Sequence, residues 1–307
     1  MRLFIIGNGF DLSHGLETKF KDFKKYIEQT YLLTFNQSFL PYPIVGEEPD
    51  GGIVADPNTA AQILYNLLEN VPIESDWSNF EDCLGELDYH PALDLAEEDD
   101  DNPFRTQYNL EDLISDLKPS LVVGVFNIFK EWIDSINISK AKKQFYFKDS
   151  DMFLTFNYTG VLEDIYNINR HNICHIHGPF QDGHCVTGHG NVDRNFDDYD
   201  ELVSFQIKEI SDSLVKPVVD LYNKQAYFFN LLKKKDIDEI IFYGFSFGDV
   251  DLYYIEQLFK IINTKYTKMY FSEYEHLNEE TWKLKIIKRL GFQGTYDGPF
   301  LTNKKLF

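Results

Sequence analysis

Leu3-Phe4-Ile5-Ile6-Gly7-Asn8-Gly9-Phe10-Asp11 sets four apolar residues directly before two glycines. Four consecutive apolar residues that run straight into closely spaced glycines predict a strand buried on both faces and a tight turn at its carboxyl end. Glycine permits positive φ at such a turn and lets another group approach the backbone. In open α/β folds, ligands bind outside the carboxyl ends of strands of this kind. The dinucleotide fingerprint G-x-G-x-x-G is incomplete here. Its third position falls on Leu12, and the next glycine is Gly15. The segment therefore reads equally as a nucleotide loop and as a plain strand-to-helix turn.

Working outward, the region from 19 to about 149 reads as mainly helical. Phe20, Phe23, Ile27 and Tyr31 recur at helical spacing, as do apolar residues over Ala60–Leu68. A helix capped by Ser75 or Asp76 is expected through Trp77, Phe80 and Leu84. Residues 41–58, rich in proline and glycine, read as a loop. Residues 97–101, Glu-Glu-Asp-Asp-Asp, read as a solvated loop, since contiguous charges make a poor metal cage. Leu110 to Ile136 reads as a long amphipathic helix with a break near Pro119.

After residue 150 the pattern changes to strand, polar turn and helix, repeated. Strands are expected at Met152–Phe156, Asn172–Ile176, Glu239–Tyr243 and Lys268–Ser272, and helices over Val161–Ile168, 197–235 with a break at Pro217, from Val250, and over Glu279–Leu290. This alternation predicts an α/β protein built on a Rossmann-like parallel sheet. The expected organisation is one domain over 1–307. Its core comes from 1–18 and 150–307, with 19–149 as a helical insertion or cap.

Polar clusters follow four of the strands: Gly7–Asp11, Asn157–Thr159, His175–Gly178 and Gly244–Asp251. A parallel sheet would bring all four to one edge. His177 is a candidate general base, or a histidine hydrogen-bonded at a strand terminus. Asn157 could orient a water or a ribose hydroxyl, or bond its own backbone in a turn. Asp249 and Asp251 could grip ribose hydroxyls, or one could cap the helix that starts there.

Composition narrows the function classes. There are 29 basic and 50 acidic residues, a formal net charge of −21. General nucleic-acid binding needs clustered Lys and Arg, so it is not expected. Three scattered cysteines, Cys83, Cys174 and Cys185, make no disulfide framework and point to a reducing cytoplasm. No apolar run is long enough to span a membrane, and a strand starting at residue 2 leaves no place for a signal peptide. His175, His177, His184, Cys185 and His189 match no standard zinc spacing, so no metal is predicted. The serine-elbow, H-E-x-x-H and P-loop motifs are absent.

Ile6–Leu12 with His14-Gly15-Leu16 and Asp22-Phe23 resembles the opening of the phage abortive infection AbiH family. So do Trp77–Glu81, Phe156–Thr159 with Leu162-Glu163 and Tyr166, His175–Gly178, and Gly244–Ser246 with Asp249 and Asp251. The resemblance implies a bacterial protein of antiviral defence. A more distant likeness is to sirtuin-like NAD-binding domains, carried by Gly7/Gly9, Asn157, His177-Gly178 and Gly244/Ser246. It departs from sirtuins in lacking the four-cysteine zinc module and in having Thr159 where an acidic residue is usual. Asn8 and Phe10 also stand where sirtuins carry small residues.

Together these resemblances imply binding of NAD or a related nucleotide and hydrolysis of its nicotinamide–ribose bond. His177 and Asn157 would be catalytic. Gly7, Asn8, Gly9, Asp11, Thr159, Gly178, Gly244, Ser246, Asp249 and Asp251 would bind the nucleotide, with phosphates on the Gly7–Asp11 amides. A homo-oligomer or a phage-derived trigger is the expected further partner. A non-catalytic nucleotide sensor and a nuclease effector are the alternatives.

Overall fold

A computed structural model describes residues 1–34, 41–47, 49, 53–68, 81, 83–94, 103–178, 186–190, 194–198 and 201–301. The expected helix around Ser75–Phe80, the acidic run 97–101, and His184 and Cys185 lie outside the described residues.

The chain divides into two compact units. The first comprises Met1–Lys19, Ser135–Cys185 and Pro217–Phe307. Its centre is a six-stranded sheet of β1 (Arg2–Ile6), β4 (Met152–Thr155), β5 (Ile173–His175), β6 (Glu239–Tyr243), β7 (Lys268–Phe271) and β8 (Thr295–Pro299). The spatial order is β5-β4-β1-β6-β7-β8, and every neighbouring pair is parallel. Counting only these strands in chain order, that is 3-2-1-4-5-6, the order of the Rossmann fold. The α/β, Rossmann-like expectation is therefore met.

The strands take this arrangement because their sequences bury both faces. Leu3, Phe4, Ile5 and Ile6 of β1 and Ile240, Ile241 and Phe242 of β6 are all buried, as a central parallel strand requires. Phe4 stacks on Phe153 at 5.3 Å and meets Phe147 edge-on at 5.1 Å. Phe10, Phe145, Val161 and Leu162 extend the same core. Burying each such side chain contributes about 1.5–3 kcal/mol.

Tyr166 and His14 knit this core together. The Tyr166 hydroxyl accepts from the Gln144 and Phe145 amides at 2.8 and 3.2 Å and lies 2.7 Å from His14 Nε2. His14 Nδ1 lies 2.7 Å from the Phe10 carbonyl. A carbonyl can only accept, so Nδ1 carries the proton and Nε2 accepts from the phenol. Burial, partly opposed by the Phe10 carbonyl, holds the His14 pKa below its usual value. These two motif residues are structural.

The second unit comprises Phe20–Asp134 and Val186–Lys216. The helices Phe20–Thr30, Pro57–Leu67, Pro103–Val122, Phe129–Ser135 and Glu201–Ser213 dominate it. Phe23 packs on Phe129 and Trp132 at 5.6 and 5.2 Å. Buried Lys216 pairs with Glu81 at 2.6 Å, and Thr187 donates to the same carboxylate at 3.3 Å. Glu81, from the Trp77–Glu81 block, is thus a structural anchor.

Two local expectations are corrected here. Residues 41–58 are not all loop: β2 (Val45–Glu47) pairs antiparallel with β3 (Ile53–Ala55). Strands of three residues are too short to show period-two alternation. Pro119 sits inside Pro103–Val122, and the helical irregularity comes later, as a π-helical stretch at Val123–Ile128. There Gly124 lies against the 57–67 helix, and a Cβ on it would stand 3.1 Å from the Ala60 carbonyl oxygen.

Candidate functional site

The carboxyl ends of β5, β4, β1 and β6 are adjacent, because Ile6 lies in register with both Thr155 and Tyr243, and Thr155 with His175. The four polar clusters therefore leave the sheet from one edge, where ligands bind in open α/β folds.

The glycines after β1 and β6 serve each other. Gly7 N–H donates to the Tyr243 carbonyl at 3.1 Å and Gly9 N–H to the Gly244 carbonyl at 3.0 Å. A Cβ on Gly9 would stand 2.5 Å from Gly244 Cα, and one on Gly244 would stand 2.3 Å from Gly9 Cα. Gly244 also has φ +66. The glycine spacing that reads as room for a ligand is used here for backbone-to-backbone packing. Phe10 N–H donates back to the Gly7 carbonyl at 2.9 Å. Three amides of the Gly7–Asp11 turn are thus already committed, and the Asn8 carboxamide donates to the Thr18 carbonyl at 2.8 Å.

A buried charge cluster fixes the Gly244 loop from below. Glu275 Oε2 accepts from Gly244 N–H, Ser272 N–H and Ser272 Oγ at 3.0, 3.2 and 2.6 Å. Lys283 Nζ donates to Glu275 Oε1, Glu279 Oε2 and the Phe245 carbonyl, each at 2.6 Å. It also lies over the ring of Phe247, a non-glycine residue at φ +61. The sequence carried no signal for this cluster, whose members are spread over 40 residues.

Asp11 lies at the centre of the edge and is only 2% exposed. Its Oδ2 accepts from Thr159 Oγ1 at 2.6 Å. Burial pushes its carboxyl up to about 6, with the hydrogen bond from Thr159, the nearby Asn157 amide and the charge of His175 pulling it partly back. Asn157 is buried too. Asp11 Oδ1 and Asn157 Nδ2 have no hydrogen-bond partner among the described residues. His175 Nε2 pairs with Glu163 Oε1 at 2.8 Å, and its Nδ1 lies 3.3 Å from the Asn157 carbonyl. Burial raises the Glu163 pKa, but the His175 contact outweighs it and the net shift is downward. The Glu163–His175 pair was not among the predicted site residues. Both members lie in quoted sequence blocks, Leu162-Glu163 and His175–Gly178, but no spacing pairs them.

His177 is 3% exposed, and its Nε2 lies 3.1 Å from Asp251 Oδ1. The contact joins the loop after β5 to the helix after β6, across the ends of β4 and β1. The sheet positions of β5 and β6 are about 14 Å apart, three spacings of ~4.8 Å. The His177 ring meets Phe156 edge-on at 5.6 Å and contacts Tyr158 at 5.5 Å. Neither Asp249 nor Asp251 caps the Asp249–Ile261 helix: its N-cap is Gly248, with no side-chain cap bond. Asp249 is exposed at the first helical position, whereas Asp251 turns inward. Ser246 and Gly178 are partly buried at the same edge. Among the described residues no group of three or more His, Cys, Asp or Glu could hold a metal ion, and no helix is long and apolar enough to cross a membrane.

The fold and this edge define a Rossmann-like α/β protein with a buried constellation of Asp, Asn, Thr and His at the carboxyl edge of its sheet. Over residues 3–273 the chain matches the family described as bacteriophage abortive infection AbiH. The match covers most of the chain, and the protein belongs to that family, which places it in defence against bacteriophage. No curated protein and no solved structure gives a significant match.

Proposed function

We propose that this AbiH-family protein acts in abortive infection by binding NAD at the carboxyl edge of its sheet and hydrolysing the nicotinamide–ribose bond. The observation that carries the reading is the buried pairing of His177 with Asp251 beside an Asn157 whose amide nitrogen has no partner. A base, its orienting carboxylate and an unspent donor meet where open α/β sheets bind nucleotides. The likeness to sirtuin-like domains supports the choice of NAD.

The chemistry asks little of the protein. Nicotinamide leaves C1′ with the bonding electrons and becomes neutral, so the leaving group needs no acid. One water adds to C1′, and one of its protons must be removed. His177 takes that proton as base, Asp251 fixes the ring and Asn157 places the water or the ribose. The adenosine side falls to Gly244, Ser246 and Asp249, since Asp251 is committed to His177. Phosphate binding by the Gly7–Asp11 turn is narrowed to amides other than those of Gly7, Gly9 and Phe10.

The test is nicotinamide release from NAD by purified protein, with lysate of phage-infected cells added as the source of a trigger. Wild type should release nicotinamide, and His177→Ala should lower the rate by about 10²–10⁴-fold. Equal release by wild type and His177→Ala would refute the catalytic reading. Binding of NAD without turnover would identify a sensor instead.

A further inference from the structure

The formal charge of −21 is not spread over the molecule. The helical unit, Phe20–Asp134 with Val186–Lys216, carries 31 acidic and 9 basic residues, a net charge of −22. The sheet unit carries 19 acidic and 20 basic residues, a net charge of +1. Three of the few cations in the helical unit are already paired with its own carboxylates: Lys130 with Asp134, Lys208 with Asp212 and Lys216 with Glu81. Self-repulsion on this scale works against a compact unit, and solubility would be served equally by charge on either unit.

A second, independent feature of the same unit is an apolar face turned to solvent. β2 and β3 form a two-stranded ribbon against the helix Pro103–Val122. Successive side chains of a strand point to opposite faces. Ala55 is buried, so Val54 points away from the core, and it is 43% exposed. Asp56 N–H donates to the Ile44 carbonyl at 2.8 Å, which continues the register and puts Ile44, 58% exposed, on the face of Val54. Leu32, 86% exposed, is held beside the end of β3 by the bond from its N–H to Asn58 Oδ1 at 3.2 Å. Three large apolar side chains thus stand in water on the acidic unit.

We propose that the outward face of the β2–β3 ribbon, with Leu32, is the docking surface for a protein whose own surface is basic, of the kind that binds nucleic acid. Charge decides among the occupants. A second copy would bring the same ribbon on a unit of −22, so a symmetric pair sets like charges together. DNA, RNA and an anionic membrane are repelled in the same way. A protein with clustered Lys and Arg is drawn in by the field of the whole unit, and Ile44, Val54 and Leu32 then supply contact area that excludes water. Such clusters are the footprint of nucleic-acid-binding proteins. Abortive infection needs a sign that infection has begun, and the proteins that handle phage nucleic acid are of this class. The inference stands apart from the NAD reading, because it concerns the other unit and none of the sheet-edge residues.

The test is titration of the full chain with the basic nucleic-acid-binding proteins of an infecting phage and of its host cell, each purified and each with a pI above about 9. The variants are Ile44→Ser with Val54→Ser on the ribbon and Tyr227→Ser, an exposed aromatic of the sheet unit, as the control. Both sets change exposed side chains, so the fold should be kept, and circular dichroism checks it. One of the basic proteins should bind wild type and Tyr227→Ser alike and lose about 10–100-fold in affinity for the ribbon variant. The same complex should weaken about tenfold or more as salt rises from about 50 to 500 mM, and duplex DNA should displace it by covering the partner's basic face. Binding that survives the ribbon substitutions, or that neither salt nor DNA weakens, would overturn the proposal. So would failure of every basic protein to bind folded wild type. Dimerisation of the chain itself, lost in the ribbon variant, would assign the face to a second copy and overturn it too. None of these outcomes bears on nicotinamide release, so the NAD reading stands or falls separately.

Discussion

Replacing Asp11 by Asn should stabilise the protein, and by an amount that depends on pH. The carboxyl's pKa rises from its ordinary 3.8 to about 6 because burial penalises the charged form. The folded state therefore binds a proton more tightly than the unfolded chain does. Between those two pH values the unfolded chain gives up its proton first, so stability falls as pH rises. Each tenfold change in proton affinity is worth about 1.4 kcal/mol, so the ionised carboxylate costs about 3 kcal/mol of folding free energy at pH 8. Asparagine keeps an oxygen for Thr159 Oγ1 but turns a second donor toward Asn157 Nδ2. That offsets part of the gain and leaves about 1–3 kcal/mol. For a unit of this size the change is about 2–4 °C in Tm per kcal/mol. Urea unfolding of wild type and Asp11→Asn at pH 8 and pH 4 measures it. The variant should be more stable at pH 8, and the difference should fall by about 2–3 kcal/mol toward pH 4, to zero or below, where the folded wild-type carboxyl is protonated. A variant less stable at pH 8, or a gap independent of pH, would refute the reasoning. A substitution that stabilises the fold while removing function marks a residue retained for its chemistry.

Two further predictions concern the scaffold. Gly9→Ala and Gly244→Ala each force a methyl group to within 2.5 Å of the opposing loop's backbone, with positive φ added at Gly244. Each should destabilise by about 2 kcal/mol or more in chemical denaturation, and a neutral outcome at either would show that the two loops do not meet as described. Lys283→Met leaves Glu275 buried opposite no cation and should cost about 3–5 kcal/mol, whereas Lys283→Met combined with Glu275→Gln should recover part of it. Non-recovery in the double variant would show that packing, not charge pairing, holds the Gly244 loop.

The parts of the fold legible in the sequence are those where burial acts on a run of neighbours. Glu239–Tyr243 reads as a strand with the bounds it has in the structure, because its three central residues face apolar layers on both sides. β8, Thr295-Tyr296-Asp297-Gly298-Pro299, left no such trace, since a partly exposed edge strand needs no apolar run. The site was legible as an edge and not as a set of contacts. Four polar clusters after four strands sufficed to bring Asp11, Asn157, His177 and Asp251 to one side of the sheet. That Asp11 binds Thr159, 148 positions away, and that His177 chooses Asp251 are outcomes of tertiary packing that no local spacing encodes. The glycines carry two readings for a physical reason. A close approach needs Gly whether the approaching group is a ligand or another loop, and here it is Gly244.

NAD hydrolysis by this protein would be read from the NAD content of cells during phage infection, compared between wild type and the His177→Ala and Asn157→Ala variants at equal protein levels. The account predicts that NAD collapses before lysis in cells with wild type, and that either substitution abolishes both the collapse and the protection. Full protection by wild type with NAD unchanged throughout infection would contradict it.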